Sequence, residues 1–158
     1  MAWHYGTYSC GHEGRVQIYG PIKDRQWKAD YHFDRICDDC RRKEIEEENR
    51  KAKEESEAMG LKKLIGSPKQ IDWATTIRKN FIDDFKETME KLHKMKDQYA
   101  DEYAKSKYSL EDIERTFNYL LENKTKAAFW IDNRNKDIDA LILTEIKNVP
   151  TKQELEEQ

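Results

Sequence analysis

Apolar residues recur at steps of three or four through the middle of the chain, which is the spacing of one buried helix face. The stretch opens at residues 67–70, where Ser67 suits a helix N-cap, Pro68 the first helical position and Gln70 a capping box. The apolar positions that follow are Ile71, Ala74, Ile77, Phe81, Phe85, Met89, Leu92, Met95, Tyr99 and Tyr103. The spacing predicts one helix over 68–105, about 57 Å long, and a helix of that length needs a partner along it.

The next segments have the same helical spacing and are the predicted partner. Ser109 suits a second N-cap, residues 123–125 interrupt the pattern, and a last helix runs from about Lys136 to Lys147 before Pro150. The apolar positions are Leu110, Ile113, Phe117, Leu120, Leu121, Ala128, Ile131, Ile138, Leu141, Ile142 and Ile146. Residues 66–150 are therefore predicted to form a helical hairpin or bundle, closed within one chain or across a homodimer.

The N-terminal part has a different pattern. Residues 3–20 combine β-forming side chains with glycines, which predicts a β-hairpin ended by Pro21. After a mixed segment, a helix is expected from near Cys37 to Met59, where Gly60 stops it. Its body is almost entirely charged and carries opposite charges four residues apart, each pair contributing only ~0.2–0.5 kcal/mol. Residues 46–65 are therefore predicted to be a solvated spacer helix, with a charged docking surface as the alternative.

Composition favours small modules over one large core. Of 158 residues, 39% are charged and 37% hydrophobic, and the net charge is −3. No block has the strong basic excess that binding to a phosphate backbone usually needs, and residues 151–158 form an acidic tail. No apolar run approaches the ~20 residues of a membrane span, and the first residues lack a signal-peptide pattern. We therefore expect a cytoplasmic protein that does not bind membranes.

Candidate chemistry is concentrated in one Cys₃His set. Cys10 and His12 flank Gly11 at the predicted hairpin turn, and Cys37 and Cys40 stand 24 residues later at a predicted helix start. Three thiolates and one imidazole form a closed tetrahedral shell for a structural Zn²⁺. A turn-borne pair and a helix-borne pair predict a treble-clef-like zinc finger in residues 1–45. His4 or His32 is the alternative fourth ligand.

The zinc-binding module is also rich in aromatic and basic side chains, as nucleic-acid-binding surfaces are. The aromatic residues are Trp3, Tyr5, Tyr8, Tyr19, Trp27, Tyr31 and Phe33. Acidic residues of nearly equal number lie among the basic ones. The favoured interpretation is therefore that these aromatic side chains form the module's core around the metal.

Interface candidates also occur in the helical part. Trp73 lies off the strict apolar stripe, and residues 130–134 combine a tryptophan with two charged residues. Aromatic residues at helical spacing are mostly core, whereas exposed Trp, Tyr and Arg dominate the energetics of protein interfaces. The candidate partner-binding residues are Trp73, Trp130, Asp132, Arg134, Arg41 and Arg42.

No catalytic motif accompanies these features. The sequence has no Walker-type phosphate loop, no His-Glu-x-x-His helix, no G-x-S-x-G elbow and no dinucleotide fingerprint. The paired carboxylates Asp83-Asp84 and Asp137/Asp139 lie on stretches expected to face solvent, without the burial that tunes acid–base groups. A protein without enzymatic activity is expected.

Three segments together resemble a family of uncharacterised small bacterial, phage and mobile-element proteins. They are the CxH and CxxC pairs, the block Gly66-Ser67-Pro68-Lys69-Gln70-Ile71-Asp72-Trp73-Ala74 with Ile77-Arg78, and the block Ala128-Phe129-Trp130-Ile131-Asp132-Asn133-Arg134. The resemblance implies a zinc knuckle followed by a helical region. It also implies a binder of host or phage machinery, such as an anti-CRISPR-like inhibitor of a defence nuclease.

The sequence therefore predicts a zinc-stabilised binding protein whose partner is another protein. The alternative is a nucleic-acid-binding accessory or regulatory protein that uses the zinc finger.

Overall fold

The computed structural model describes residues 1–151 and Glu154, and of residues 102 and 103 it describes the backbone. The described chain is mainly α-helical, with a two-stranded antiparallel hairpin at its N-terminus, which confirms the predicted fold class. The chain divides into two compact units, Met1–Glu48 and Asn49–Gln158. Most of the predicted acidic tail, and the side chain of Tyr103, lie outside the described residues.

The N-terminal unit begins with strands β1 (Ala2–Thr7) and β2 (Glu13–Ile18), which pair with Trp3 opposite Gln17 and Tyr5 opposite Arg15. A short 3₁₀ turn over Ile22–Asp24 leads into helix α1 (Arg25–Phe33). Helix α2 (Asp38–Ala58) starts in this unit and ends in the next. The predicted hairpin and the helix start near Cys37 are therefore present.

The core of this unit is very small. Ile18 and Ala29 are the only buried apolar residues in the 48 residues described here. Tyr8 and Phe33 pack edge to face with ring centroids 5.1 Å apart. A Cβ atom added at Gly6 would lie 2.8 Å from the Phe33 ring, so only glycine lets the strand approach this closely. A core this small needs a further source of stability.

In the part that the structure describes, the helical unit contains the second half of α2 and five more helices. They are α3 (Pro68–Gln98), α4 (Ala100–Tyr103), α5 (Leu110–Asn123), α6 (Ala127–Asn133) and α7 (Ile138–Glu145), and a 3₁₀ turn over Ile146–Asn148 follows. The predicted cap of α3 is confirmed, since Ser67 and Gln70 make both bonds of a capping box. The predicted single helix over 68–105 is wrong beyond residue 98, because Tyr99 (φ −130°, ψ 51°) leaves the helical conformation.

One contiguous core holds the helical unit together. Phe85 and Phe117 stack with ring centroids 4.1 Å apart, and Phe81 lies 6.0 Å from Trp130. The buried apolar residues of this core are Leu64, Ala74, Ile77, Phe81, Ile82, Phe117, Leu120, Ala127, Trp130, Ile138, Leu141 and Ile142. The apolar positions of α3 from Ala74 to Phe85 are thus covered within the chain by residues from α5, α6 and α7, whereas Met95 is 54% exposed.

The second half of α2 also belongs to this unit. Ala52 is fully buried, the Thr76 hydroxyl donates to the Asn49 side chain at 2.7 Å, and Ser56 accepts from Arg78 at 2.5 Å. Gly60 has a positive φ of 66°, which L side chains rarely adopt, and the helix ends before it. A segment whose charge pattern predicts a spacer therefore contributes contacts to the helical unit.

The N-terminus of α5 is expected to make stability depend on pH. The backbone N–H of Ser109 donates to Asp112 at 3.0 Å, and this bond, with smaller contributions from the Ser109 hydroxyl and Arg115, lowers the pKa of Asp112. A carboxyl whose pKa is lower in the folded chain stabilises it above the unfolded value of about 3.9. That contribution is lost as the pH falls through the folded value. Asp112→Ala should cost about 1 kcal/mol at pH 7, and this cost should shrink as the pH falls below the unfolded value of about 3.9.

Urea unfolding of the wild type and the variant at several pH values measures this difference. The exposed Asp84→Ala variant is the matched control and should match the wild type at every pH. A cost for Asp112→Ala that stays constant down to pH 2.5 would contradict the assignment.

Candidate metal centre

The first ligand pair lies in a tight turn between β1 and β2. The backbone N–H of Gly11 donates to Tyr8 O at 2.8 Å, and that of Tyr8 donates to His12 O at 2.9 Å. Gly11 has a φ of 82°, a conformation that glycine adopts without strain. This turn places Cys10 and His12 on either side of Gly11, so that both side chains reach the same point.

The second ligand pair lies at the start of α2. Cys37 precedes the helix, and its carbonyl accepts the first helical hydrogen bond, from Arg41 N at 3.0 Å. Cys40 follows within the first turn. The N-terminal end of a helix carries a partial positive charge, which favours the thiolate form of cysteines placed there. The helix start thus positions this pair, although burial outweighs the effect of the helix end on Cys40.

The four ligand atoms form one cluster. They all lie within 4.8 Å of one another. The Nδ1 atom of His12 is 3.3 Å from Cys40 Sγ, 3.5 Å from Cys10 Sγ and 3.7 Å from Cys37 Sγ. In a tetrahedral zinc shell, Zn–S and Zn–N bonds of about 2.3 and 2.0–2.1 Å separate nitrogen from sulfur by about 3.6 Å. One nitrogen cannot share hydrogen bonds with three sulfurs, so a common central cation explains the arrangement better.

The pKa values of two of the thiols are shifted in opposite directions. The pKa of Cys10 is lowered to about 6, chiefly because the Cys37 backbone N–H donates to its sulfur at 3.3 Å. The pKa of Cys40 is raised to about 11, chiefly because burial removes water from it, and its two cysteine neighbours add to the effect. A divalent cation at the centre of the cluster favours the thiolate form of all three. The donor set therefore suits a metal ion and is compatible with Zn²⁺.

Among the described residues, the cluster contains His12 and neither alternative histidine. His4 lies within β1 opposite Val16, and His32 lies in α1 with its ring 6.2 Å from that of Tyr31. The structure thus brings together the four residues that the spacing predicts. Their placement on a hairpin turn and a helix start is the treble-clef-like arrangement expected from the sequence.

The aromatic residues of this unit are mostly not core. Trp3 and Tyr5 are 50% and 74% exposed, and Tyr19, Trp27 and Tyr31 are exposed as well. The favoured interpretation of these five as a core around the metal is therefore wrong, because β1 alternates and directs Trp3 and Tyr5 away from α1. Only Tyr8 and Phe33 pack together on the inner side.

We call the solvent-facing side of the sheet the outer hairpin face; it comprises Trp3, Tyr5, Thr7, Glu13, Arg15 and Gln17. The Arg15 guanidinium lies 4.6 Å from the centre of the Trp3 ring. The sequence could have predicted this face from β1, because alternate residues of a strand point to opposite sides of the sheet.

The candidate partner-binding residues have different environments. Trp73 is 48% exposed, and the guanidinium of Arg134 lies 5.4 Å from its ring. Asp132, Arg41 and Arg42 are exposed, and Arg42 forms an ion pair with Asp39.

The prediction that Trp130 contacts a partner is wrong. It is fully buried, and its indole N–H donates to Lys124 O at 2.8 Å. A side chain in this position cannot reach a partner, so Trp130 belongs to the core of the helical unit.

Comparisons with known proteins give no match: no family model, no curated protein and no solved structure is detectably similar to this chain. Among the described residues, no helix combines the length and the apolar character needed to cross a lipid bilayer.

Proposed function

We propose that this chain is a zinc-stabilised protein without enzymatic activity, whose N-terminal unit binds a protein partner through the outer hairpin face. The observation that carries the proposal is the exposure of Trp3 and Tyr5 beside Arg15 on a sheet with very little core behind it. Trp, Tyr and Arg are the residue types that dominate protein-interface energetics. Exposing two large aromatic side chains on one strand costs solubility, which a binding role explains.

The metal's role in this proposal is structural. Four protein ligands complete a tetrahedral shell and leave no open position of the kind that catalytic zinc keeps. The ion ties the hairpin turn to the start of α2, and the hairpin so ordered presents the outer hairpin face. A depression of about 650 Å³ beside Tyr5 and Arg15 gives room for a partner side chain.

The more specific form of the proposal concerns the kind of partner. The resemblance to small phage and mobile-element proteins supports an inhibitor of a host defence nuclease, in the manner of an anti-CRISPR protein. Such an inhibitor acts by occupying a nucleic-acid channel or by holding one conformation of the nuclease.

Affinity purification from the native host, with mass spectrometry, tests the protein-binding proposal. The double variant Trp3→Ser, Tyr5→Ser should lose the partner while retaining one metal ion per chain. Trp73→Ser is the matched control, since it removes an equally exposed tryptophan from the helical unit, and should retain the partner. Loss of the partner in Trp73→Ser alone would place the binding surface on the helical unit and contradict the proposal. The proposal is also contradicted if the wild-type protein recovers no partner in stoichiometric amount.

A second candidate function is nucleic-acid binding. In the N-terminal unit, arginine lies over exposed aromatic rings twice, at Trp3 and at Tyr31, where Arg35 is 4.1 Å from the ring centre. Aromatic–arginine pairs of this kind stack on bases. Residues 1–48 carry a net charge of −2, which opposes it. Binding to single-stranded DNA or RNA that weakens steeply with salt would favour this candidate over the first.

A further inference from the structure

A recess in the helical unit lies beside a buried arginine. It has a volume of about 250 Å³ and is bordered by the second half of α2, the segment 61–64 and the first turns of α3. Its buried lining includes Ser56, Leu64 and Arg78. Exposed residues, Lys53 and Lys63 among them, form its rim.

Arg78 is charged and almost completely enclosed, with 2% of its surface exposed. Its Nη1 donates to Lys62 O at 2.9 Å and its Nη2 to Ser56 Oγ at 2.5 Å, and both acceptors are neutral. Its buried Nε has no hydrogen-bond partner among the described residues. No carboxylate of the described part of the chain forms an ion pair with it.

A buried charge without a counter-ion is costly, and most buried charges in proteins are paired. Arginine does not escape this cost by losing its proton, since its guanidinium stays ionised at neutral pH. The C-terminal end of α2 supplies roughly half of one negative charge, which offsets the cost in part. Lys53 and Lys63 at the rim add to the positive charge.

We propose that this recess binds a small carboxylate monoanion, whose oxygens accept from Arg78 and the rim lysines. Three basic residues and two acidic ones, Glu57 and Asp72, line the recess, which leaves a net charge of +1. A monoanion neutralises that charge. A dianion would leave a net negative charge in a recess that already contains the two carboxylates. Apolar wall residues, Leu61, Leu64 and Ile71, suit the hydrocarbon part of a short-chain acid. The site lies in the helical unit and does not depend on the function proposed for the hairpin.

NMR of the metal-loaded full chain tests the site directly on the wild-type protein. The ¹⁵Nε–¹H signal of Arg78 is followed during titration with sodium acetate, with ionic strength held constant by sodium chloride. A saturable shift is expected for Arg78 and no shift for the exposed Arg134. Butyrate should saturate the signal at lower concentration than acetate, because its longer chain covers the apolar wall.

The rim residues give a variant that keeps the buried arginine and the fold. Lys53→Gln with Lys63→Gln should weaken acetate binding at least several-fold, whereas the exposed Lys69→Gln, which lies outside the recess lining, should bind as the wild type does. The proposal is overturned by the absence of a saturable shift at Arg78. It is equally overturned if sulfate, a dianion, shifts the signal as strongly as acetate does, or if the rim variant binds acetate unchanged.

Discussion

Removing the metal is expected to unfold the N-terminal unit, residues 1–48, and to leave the helical unit folded. Two buried apolar residues cannot replace the four bonds that an ion in the Cys₃His cluster would make, and apparent binding free energies of structural zinc are about 10 kcal/mol or more. Amide NMR spectra before and after addition of a chelator measure the effect, and signals from β1, β2 and α1 should collapse to unfolded positions. Elemental analysis of the purified protein should give one zinc per chain.

Two histidine variants provide the matched comparison. His12→Ala removes a ligand of the cluster, whereas His32→Ala removes an exposed histidine outside it. The first should lose metal and the folded hairpin signals, and the second should keep both. Well-dispersed hairpin signals in the chelated wild-type protein would show that the small core is sufficient without metal, and would overturn the structural role.

Trp130→Ala is expected to cause the largest loss of stability in the helical unit, about 3–5 kcal/mol. The side chain is fully enclosed between Phe81 and Phe129, whose ring centroids lie 6.0 and 5.3 Å away. Its removal leaves a cavity and also removes the donor to Lys124 O. Urea unfolding followed by far-ultraviolet circular dichroism measures the change.

The control for this variant is Trp73→Ala, which changes the same residue type at a half-exposed position. It should lower the free energy of unfolding by no more than about 1 kcal/mol. Equal losses from the two substitutions would mean that Trp130 is not the core residue that its burial indicates.

The metal cluster and the helix caps could be predicted because short-range chemistry determines them. Cys37 and Cys40 stand one helical turn apart, and Gly11 permits the tight turn that carries the other pair. Ser67 and Gln70 make both predicted bonds of the capping box. Each ligand pair and the capping box is determined by residues within four positions of one another, and the shared need for four ligands joins the two pairs.

The end of α3 could not be predicted, since the apolar period continues through Tyr99 while the helix stops at Gln98. Periodicity identifies a buried face but carries no information on where the covering helices end. The burial of Ala52 and Arg78 was missed for a related reason. One alanine among charged residues gives no hydrophobic signal, and an arginine is expected at the surface.

Composition alone does not determine whether the aromatic residues of the N-terminal unit lie in its core or on its surface. The acidic residues among the basic ones favour a core position for Trp3 and Tyr5, but they carry no information on which side of the strand each residue takes. The alternation of β1 decides the outcome, since Gly6 and the inner side of the strand face Phe33 and leave the tryptophan and tyrosine outside.

Helix α2 links the metal to a segment that has no ligand in it. Residues 41–48 are all exposed, so no apolar face holds them helical. Fixing the first turn is the costly step of helix formation, with a nucleation constant of about 10⁻³. An ion held by Cys37 and Cys40 fixes that turn, and Ala52 anchors the helix farther along. Metal occupancy is therefore expected to decide whether residues 41–48 fray, and helix content during a metal titration should report on residues that never touch the ion.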